Sequence, residues 1–419
     1  MIFTWCLPLF LLLVIDATLA TTGFLGHSLR RVHSRAANQT HNLARDLRIA
    51  FGGVLLPRSD YSSQQVMFCK LSGNTSSAGS SGSNTTFPPN SSAGTKTKTS
   101  PVPTTTSTAT SSWNLAESHQ GSNFFDGWSF FTGSDPTNGI AFYVDENTAR
   151  TNGLLEVNSA GRAVMRIETT PNVTNSRQSV RITTQSHWNG GLFIMDAVHM
   201  PTGCGTWPAF WTNGPTWPIT GEIDIIEGVN DYTNDQATVH TDVGCTIPSS
   251  DSKTLAISGS VIGGTNCAAA TTGNQGCGIR ANSSNSFGSG FNSIGGGVYA
   301  MKWDTTGVAV YFFPRSNVPS DITAGAPNPD SWGAALARWP ATSCDPFKFF
   351  KDHSAIFDTT LCGDWAASAW GGSGIPGQEQ SCAARTGYST CEAFVRASGS
   401  AFNEAYWEIN SMLIYHQQS

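Results

Sequence analysis

The stretch Trp217-Pro218-Ile219-Thr220-Gly221-Glu222-Ile223-Asp224-Ile225-Ile226-Glu227-Gly228 sets three acids among isoleucines in a chain that is otherwise poor in charge. β-Branched residues at this density, bounded by glycines, predict a strand. Side chains alternate faces along a strand, so Glu222 and Asp224 share one face while Ile223 and Ile225 take the other. Glu227 stands at an odd offset from Glu222 and would enter the isoleucine layer, where an unpaired carboxylate is costly. One extra residue at Ile225 or Ile226, a β-bulge, restores the parity and brings all three acids to one face. The apolar face must then pack against a second layer, which implies a sandwich. Carboxylates this close repel one another. Acid/base chemistry would use such a set, and the alternatives are a calcium site or a solvated acidic face.

The surrounding residues repeat the period of two. Ala163-Val164-Met165-Arg166-Ile167, Val180-Arg181-Ile182, Leu192-Phe193-Ile194-Met195, Ala237-Thr238-Val239-His240, Trp407-Glu408-Ile409-Asn410 and Met412-Leu413-Ile414 all read as strands bounded by Gly, Pro, Asn and Ser. Residues 298–313 read as a hairpin that turns at Asp304-Thr305-Thr306-Gly307. Short helices are expected only at 331–338 and 391–396. The predicted class is all-β, with two packed antiparallel sheets.

Composition divides the 419 residues. Residues 1–20 carry an apolar core from Leu7 to Ile15 that suits a signal peptide and is short for a bilayer span of roughly 20 residues; an uncleaved anchor is the alternative. Residues 21–71 hold basic clusters at Arg30-Arg31 and Arg45 to Arg48, together with Cys69, and read as a prosegment-like or disordered arm. In residues 72–112, 23 of 41 positions are Ser or Thr, too little apolar surface to offset ordering entropy, so a glycosylated linker is expected. Residues 113–419 hold 12 of the 13 tryptophans and begin the folded domain. Its eight cysteines predict disulfides, with Cys267–Cys277 an attractive pair; no C-x-x-C supports zinc. Sequons at Asn172 and Asn282 should mark surface loops.

The net charge is −6, from 23 Lys plus Arg against 29 Asp plus Glu, which leaves no basic field for nucleic acid. Few charges with many aromatics favour a neutral polar ligand such as carbohydrate. Trp207, Trp211 and Trp217 lie just upstream of Glu222, and indole faces stack on sugar C–H faces. Serine-hydrolase, zincin and nucleotide-loop motifs do not occur.

Glu222-Ile223-Asp224-Ile225-Ile226-Glu227, preceded by Trp207-Pro208-Ala209-Phe210-Trp211 and followed by His240-Thr241, resembles glycoside hydrolase family 16, in particular the fungal laminarinase-type endo-1,3(4)-β-glucanases. The resemblance extends from Phe124-Phe125-Asp126-Gly127-Trp128 through Cys362-Gly363-Asp364-Trp365 to the C-terminal strands, about three quarters of the chain. It implies a concanavalin-like jelly roll and a retaining endo-β-glucanase without a cofactor. Glu222 would be the nucleophile, Glu227 the general acid/base and Asp224 the assisting carboxylate. Trp207, Trp211, Trp217, His240 and Trp365 are candidate substrate contacts. A structural calcium is compatible with this fold, but no ligand set for one is legible. The expected partner is a β-glucan, acted on by a secreted or cell-wall-associated monomer that leaves the membrane once its signal is cleaved. Alternatives are a cell-wall glucan transglycosylase and a non-catalytic glucan-binding module.

Overall fold

The computed structural model describes residues 111–418. The sequence readings for 1–20, 21–71 and the linker up to residue 110, Cys69 included, lie outside the described residues.

Among the described residues, two eight-stranded sheets and a small three-stranded one account for the strands. The first large sheet runs Ala337–Pro340, Gly307–Pro314, Gly297–Asp304, Gly191–His199, Tyr406–Gln417, Ala163–Arg166 and Leu155–Val157, with Trp113–Gln120 also paired to Tyr406–Gln417. The second runs Ser260–Gly263, Cys277–Arg280, Gln236–His240, Glu222–Glu227, Thr206–Asn213, Ser354–Leu361, Ile182–Thr184 and Trp128–Phe130. Every pairing in these two sheets is antiparallel. The all-β sandwich predicted from periodicity is therefore the observed architecture.

One core fills the space between the sheets. Phe193, Met195, Tyr299, Met301, Trp407 and Ile409 come from the first, and Phe210, Ile223, Val239 and Phe357 from the second. Phe210 and Phe357, register partners on adjacent strands, stack with centroids 4.4 Å apart. Each such side chain stabilises the fold by about 1.5–3 kcal/mol on burial. The alternation read from sequence is thus a record of which face meets this layer.

The hairpin of 298–313 forms as expected, with Asp304 opposite Gly307. Residues Cys391–Ala397 are helical, but the helix expected at 331–338 is instead a short turn at Pro329–Ser331 followed by the strand Ala337–Pro340. Pairing to Gly307–Pro314 overrides the local preference there. Disulfides join Cys204–Cys382, Cys245–Cys344, Cys267–Cys277 and Cys362–Cys391. The first and last tie the C-terminal helices to the ends of the Thr206–Asn213 and Ser354–Leu361 strands. Asn172 and Asn282 are both exposed.

Candidate active site

Pairing of Glu222–Glu227 with Thr206–Asn213 runs Asn213↔Glu222, Thr212↔Ile223, Trp211↔Asp224 and then Phe210↔Ile226, Ala209↔Glu227. Ile225 has no partner and is the extra residue of the bulge. Ile223, Ile225 and Ile226 are all fully buried in the core, and the three acids stand on the opposite face. The glycines that bracket the motif answer to packing. Gly221 has φ +78°, and a Cβ there would overlap the Phe350 ring and the Phe349 carbonyl; at Gly228 a Cβ would come within 2.8 Å of the Phe287 ring.

The acid face gathers most of the residues singled out in the sequence. Trp207 Nε1 donates to Glu227 Oε1 at 2.8 Å, and Trp217 Nε1 donates to Glu222 Oε2. Trp365 packs edge-on against Trp207, with centroids 5.7 Å apart. Trp211 is the cross-strand partner of Asp224, and the Arg181 guanidinium covers its ring at 5.0 Å. His240 lies opposite Glu222, and its Nε2 is 3.4 Å from Asp224 Oδ2. Trp217 is 44% exposed and so offers an open indole face beside Glu222.

Burial holds the Asp224 carboxyl well above the usual range, and the charge and hydrogen bonding of Glu222 add to the push. Burial likewise raises Glu227 well above its ordinary value, reinforced by Asp224 and opposed by the Trp207 hydrogen bond and His240. Both carboxyls therefore favour the protonated form more strongly than an exposed acid does. The donor atoms of Glu222, Asp224 and His240 lie within 4.8 Å of one another, a spacing that would admit a cation. The chemistry argued below needs none.

His353, which the sequence reading missed, anchors the loop that carries Trp217. Its Nε2 lies 2.8 Å from the Thr220 carbonyl, which can only accept, so Nε2 carries the proton and Nδ1 accepts from the Thr212 hydroxyl at 2.8 Å. Asp358 was missed too. It pairs with Ala209, the residue opposite Glu227, and burial pushes its carboxyl up to about 7 against the pull of Arg181 at 3.8 Å. The only trace of it in the sequence is one acid in the apolar run Ala355-Ile356-Phe357-Asp358.

These groups give stability a pH dependence. A carboxyl whose value is raised by folding stabilises fully below its unfolded value and loses that contribution as pH rises through the folded one. Asp224, Glu227, Asp235 and Asp358 all shift this way, the last from 3.8 to about 7. His353, pushed down to about 4 by burial, acts oppositely; its contribution is present above about 6.5 and fades as pH falls through 4. Four carboxyls outweigh one imidazole. The unfolding midpoint is expected to be several degrees higher at pH 5.5 than at pH 8, and Asp358→Asn to narrow the gap. Calorimetry showing a flat or rising midpoint across that range would refute this ordering.

Comparison with known proteins agrees with the fold. The family model described as the XgeA-like catalytic domain of glycoside hydrolase family 16 matches residues 128–415. A probable glycosidase of Schizosaccharomyces pombe is 40% identical over 307 residues, 73% of this chain and 69% of that protein. A probable endo-1,3(4)-β-glucanase of Aspergillus clavatus is 41% identical over 308 residues, 73% of this chain but only 46% of the relative. Among solved structures, laminarinase 16A of Phanerochaete chrysosporium, with β-glucans in donor and acceptor sites, superposes with TM-score 0.65 and 36% identity, covering 73% of this chain and 99% of that one. A structure described as an elongating family 16 β-1,3-glucosyltransferase gives TM-score 0.65 and 38% identity, over 73% of this chain and 100% of that one. A bulged acid strand on a two-sheet sandwich, with residues 128–415 matching the catalytic-domain model, places the chain in glycoside hydrolase family 16.

Proposed function

We propose that the chain is a secreted endo-acting β-glucanase that hydrolyses internal linkages of β-1,3-glucan or mixed-linkage β-1,3(4)-glucan with retention of configuration. The observation that carries this reading is the bulge at Ile225, because it sets two glutamates on one face with their environments already different. Glu222 attacks the anomeric carbon as a carboxylate. Glu227, protonated, gives its proton to the departing glycosidic oxygen, and the bond to that oxygen breaks as the glycosyl–Glu222 ester forms. Glu227 then takes a proton from water, whose oxygen displaces Glu222. Asp224 between them carries a proton that hydrogen-bonds to Glu222 and, by occupying that position uncharged, spares the nucleophile a second adjacent negative charge. Trp207 holds the Glu227 carboxyl by its indole N–H, and Trp217 does the same for Glu222 while presenting its face to a sugar ring. Trp211, Trp365 and His240 stand beside these groups and would add substrate contacts. No cofactor enters these steps.

The second reading, glucan chain transfer, is favoured by the 38% identity to the elongating glucosyltransferase. It uses the same ester intermediate, with a sugar hydroxyl in place of water. A non-catalytic glucan-binding module is disfavoured by the presence of all three acids. The test is product analysis on laminarin, lichenan and a β-1,4-glucan side by side. Early products are expected as β-anomers by proton NMR, released from laminarin and lichenan and not from the β-1,4-glucan. Products longer than the donor would support transfer, and α-anomers or no cleavage would overturn the reading.

A further inference from the structure

The Gln236–His240 strand pairs with the acid strand at only three positions, ending at Asp224↔Thr238. Beyond the bulge the ladder is not continued by backbone. Asp235 occupies the place where the continued register would meet Glu227, yet its own backbone is engaged elsewhere: its carbonyl accepts from Ala281 N at 2.8 Å and its N–H donates to Ser286 Oγ at 2.9 Å. The Glu227 N–H is received instead by the Asp235 side chain, Oδ1, at 3.0 Å. Asp235 is fully buried, and its second oxygen, Oδ2, makes no hydrogen bond of good geometry. An ionised carboxylate in that setting would be costly. Burial holds its carboxyl well above the usual range. The Tyr299 hydroxyl donates to the carbonyl of Ser286, the residue whose Oγ receives the Asp235 N–H, at 2.6 Å.

We propose that Asp235 is a positioning residue for the acid/base: its side chain supplies the acceptor that the bulge removes, fixes the backbone of Glu227, and thereby sets where the Glu227 carboxyl stands relative to the leaving oxygen. The proposal rests on Glu227 being the acid/base. A bulge re-aims a side chain only if the backbone that bears it is held. Displacement of about 1 Å at a reacting group can cost about 100-fold.

The experiment compares two substrates that differ in their need for a proton: an unactivated laminari-oligosaccharide, and a dinitrophenyl β-laminaribioside whose leaving group departs unassisted. Asp235→Ala is expected to lower kcat on the first about 10- to 100-fold with KM changed under about 3-fold, and to leave glycosylation on the second within about 3-fold. Asp235→Asn, which keeps the accepting oxygen, should stay close to wild type on both and keep the wild-type basic limb of the pH profile. If the alanine variant does not fold, Asp235→Ser carries the same comparison. Equal losses on both substrates, or wild-type turnover of the unactivated one, overturn the proposal. Glu227→Ala, run in parallel, separates the two assignments: if it too loses equally on both substrates, the reading of Glu227 is at fault; if it discriminates and the Asp235 variants do not, only the role of Asp235 fails.

Discussion

Glu222→Ala is expected to lower kcat on laminarin by about 10⁴-fold or more, the scale of loss on removing a covalent nucleophile. The protein should remain folded. Glu222 lies on the acid face rather than in the core, and its removal takes away one of the groups that push the Asp224 carboxyl upward. With a dinitrophenyl β-glucoside donor and added azide, the space left by the carboxylate admits the small anion on the face from which Glu222 attacks. Azide then displaces the aryl group once, and the product is the α-glycosyl azide. Turnover near wild type would remove Glu222 from the nucleophile's role. A β-azide would mean that another carboxyl, with Asp224 the nearest candidate, still forms an ester.

Glu227→Ala should act in a complementary way. Loss of the general acid is expected to cost about 10²- to 10⁴-fold on glucan. Formation of the ester from the dinitrophenyl substrate should be nearly unaffected, because that oxygen leaves without a proton. Breakdown of the ester then becomes slow, for no base remains to deprotonate water, and a burst of dinitrophenol should appear. Azide needs no base, so it should accelerate turnover and give the β-glycosyl azide. The anomeric outcome therefore distinguishes the two glutamates directly. In the parent enzyme, activity should fall as pH rises through the raised value of Glu227, since the ionised form cannot donate; in Glu227→Ala that basic limb should vanish. Identical azide products from the two variants would sink the division of roles.

Much of the fold and the acid cluster was legible because both follow from a period of two. Side chains that alternate between core and solvent leave their mark on neighbouring residues, and Glu227 betrayed the bulge by breaking parity in an otherwise regular run. Trp207, Trp211 and Trp217 sit within one strand and loop of the acids, so chain proximity sufficed to nominate them. The helix expected at 331–338 does not form because local preference was all that could be weighed there, while pairing to Gly307–Pro314 makes Ala337–Pro340 a strand.

Asp235, Asp358 and His353 belong to a different class. Each owes its state to partners brought from far along the chain: Ser286 and Tyr299 around Asp235, Arg181 beside Asp358, Thr212 and Thr220 on His353. The amino-acid sequence by itself determined that two sheets would pack, where the strand would bulge, and that three carboxyls would share a face, because these depend on spacing along one strand. Only the tertiary structure decided which carboxyls burial pushes toward the protonated form and what holds the bulge in place, because desolvation and hydrogen-bond closure are properties of the surrounding layers.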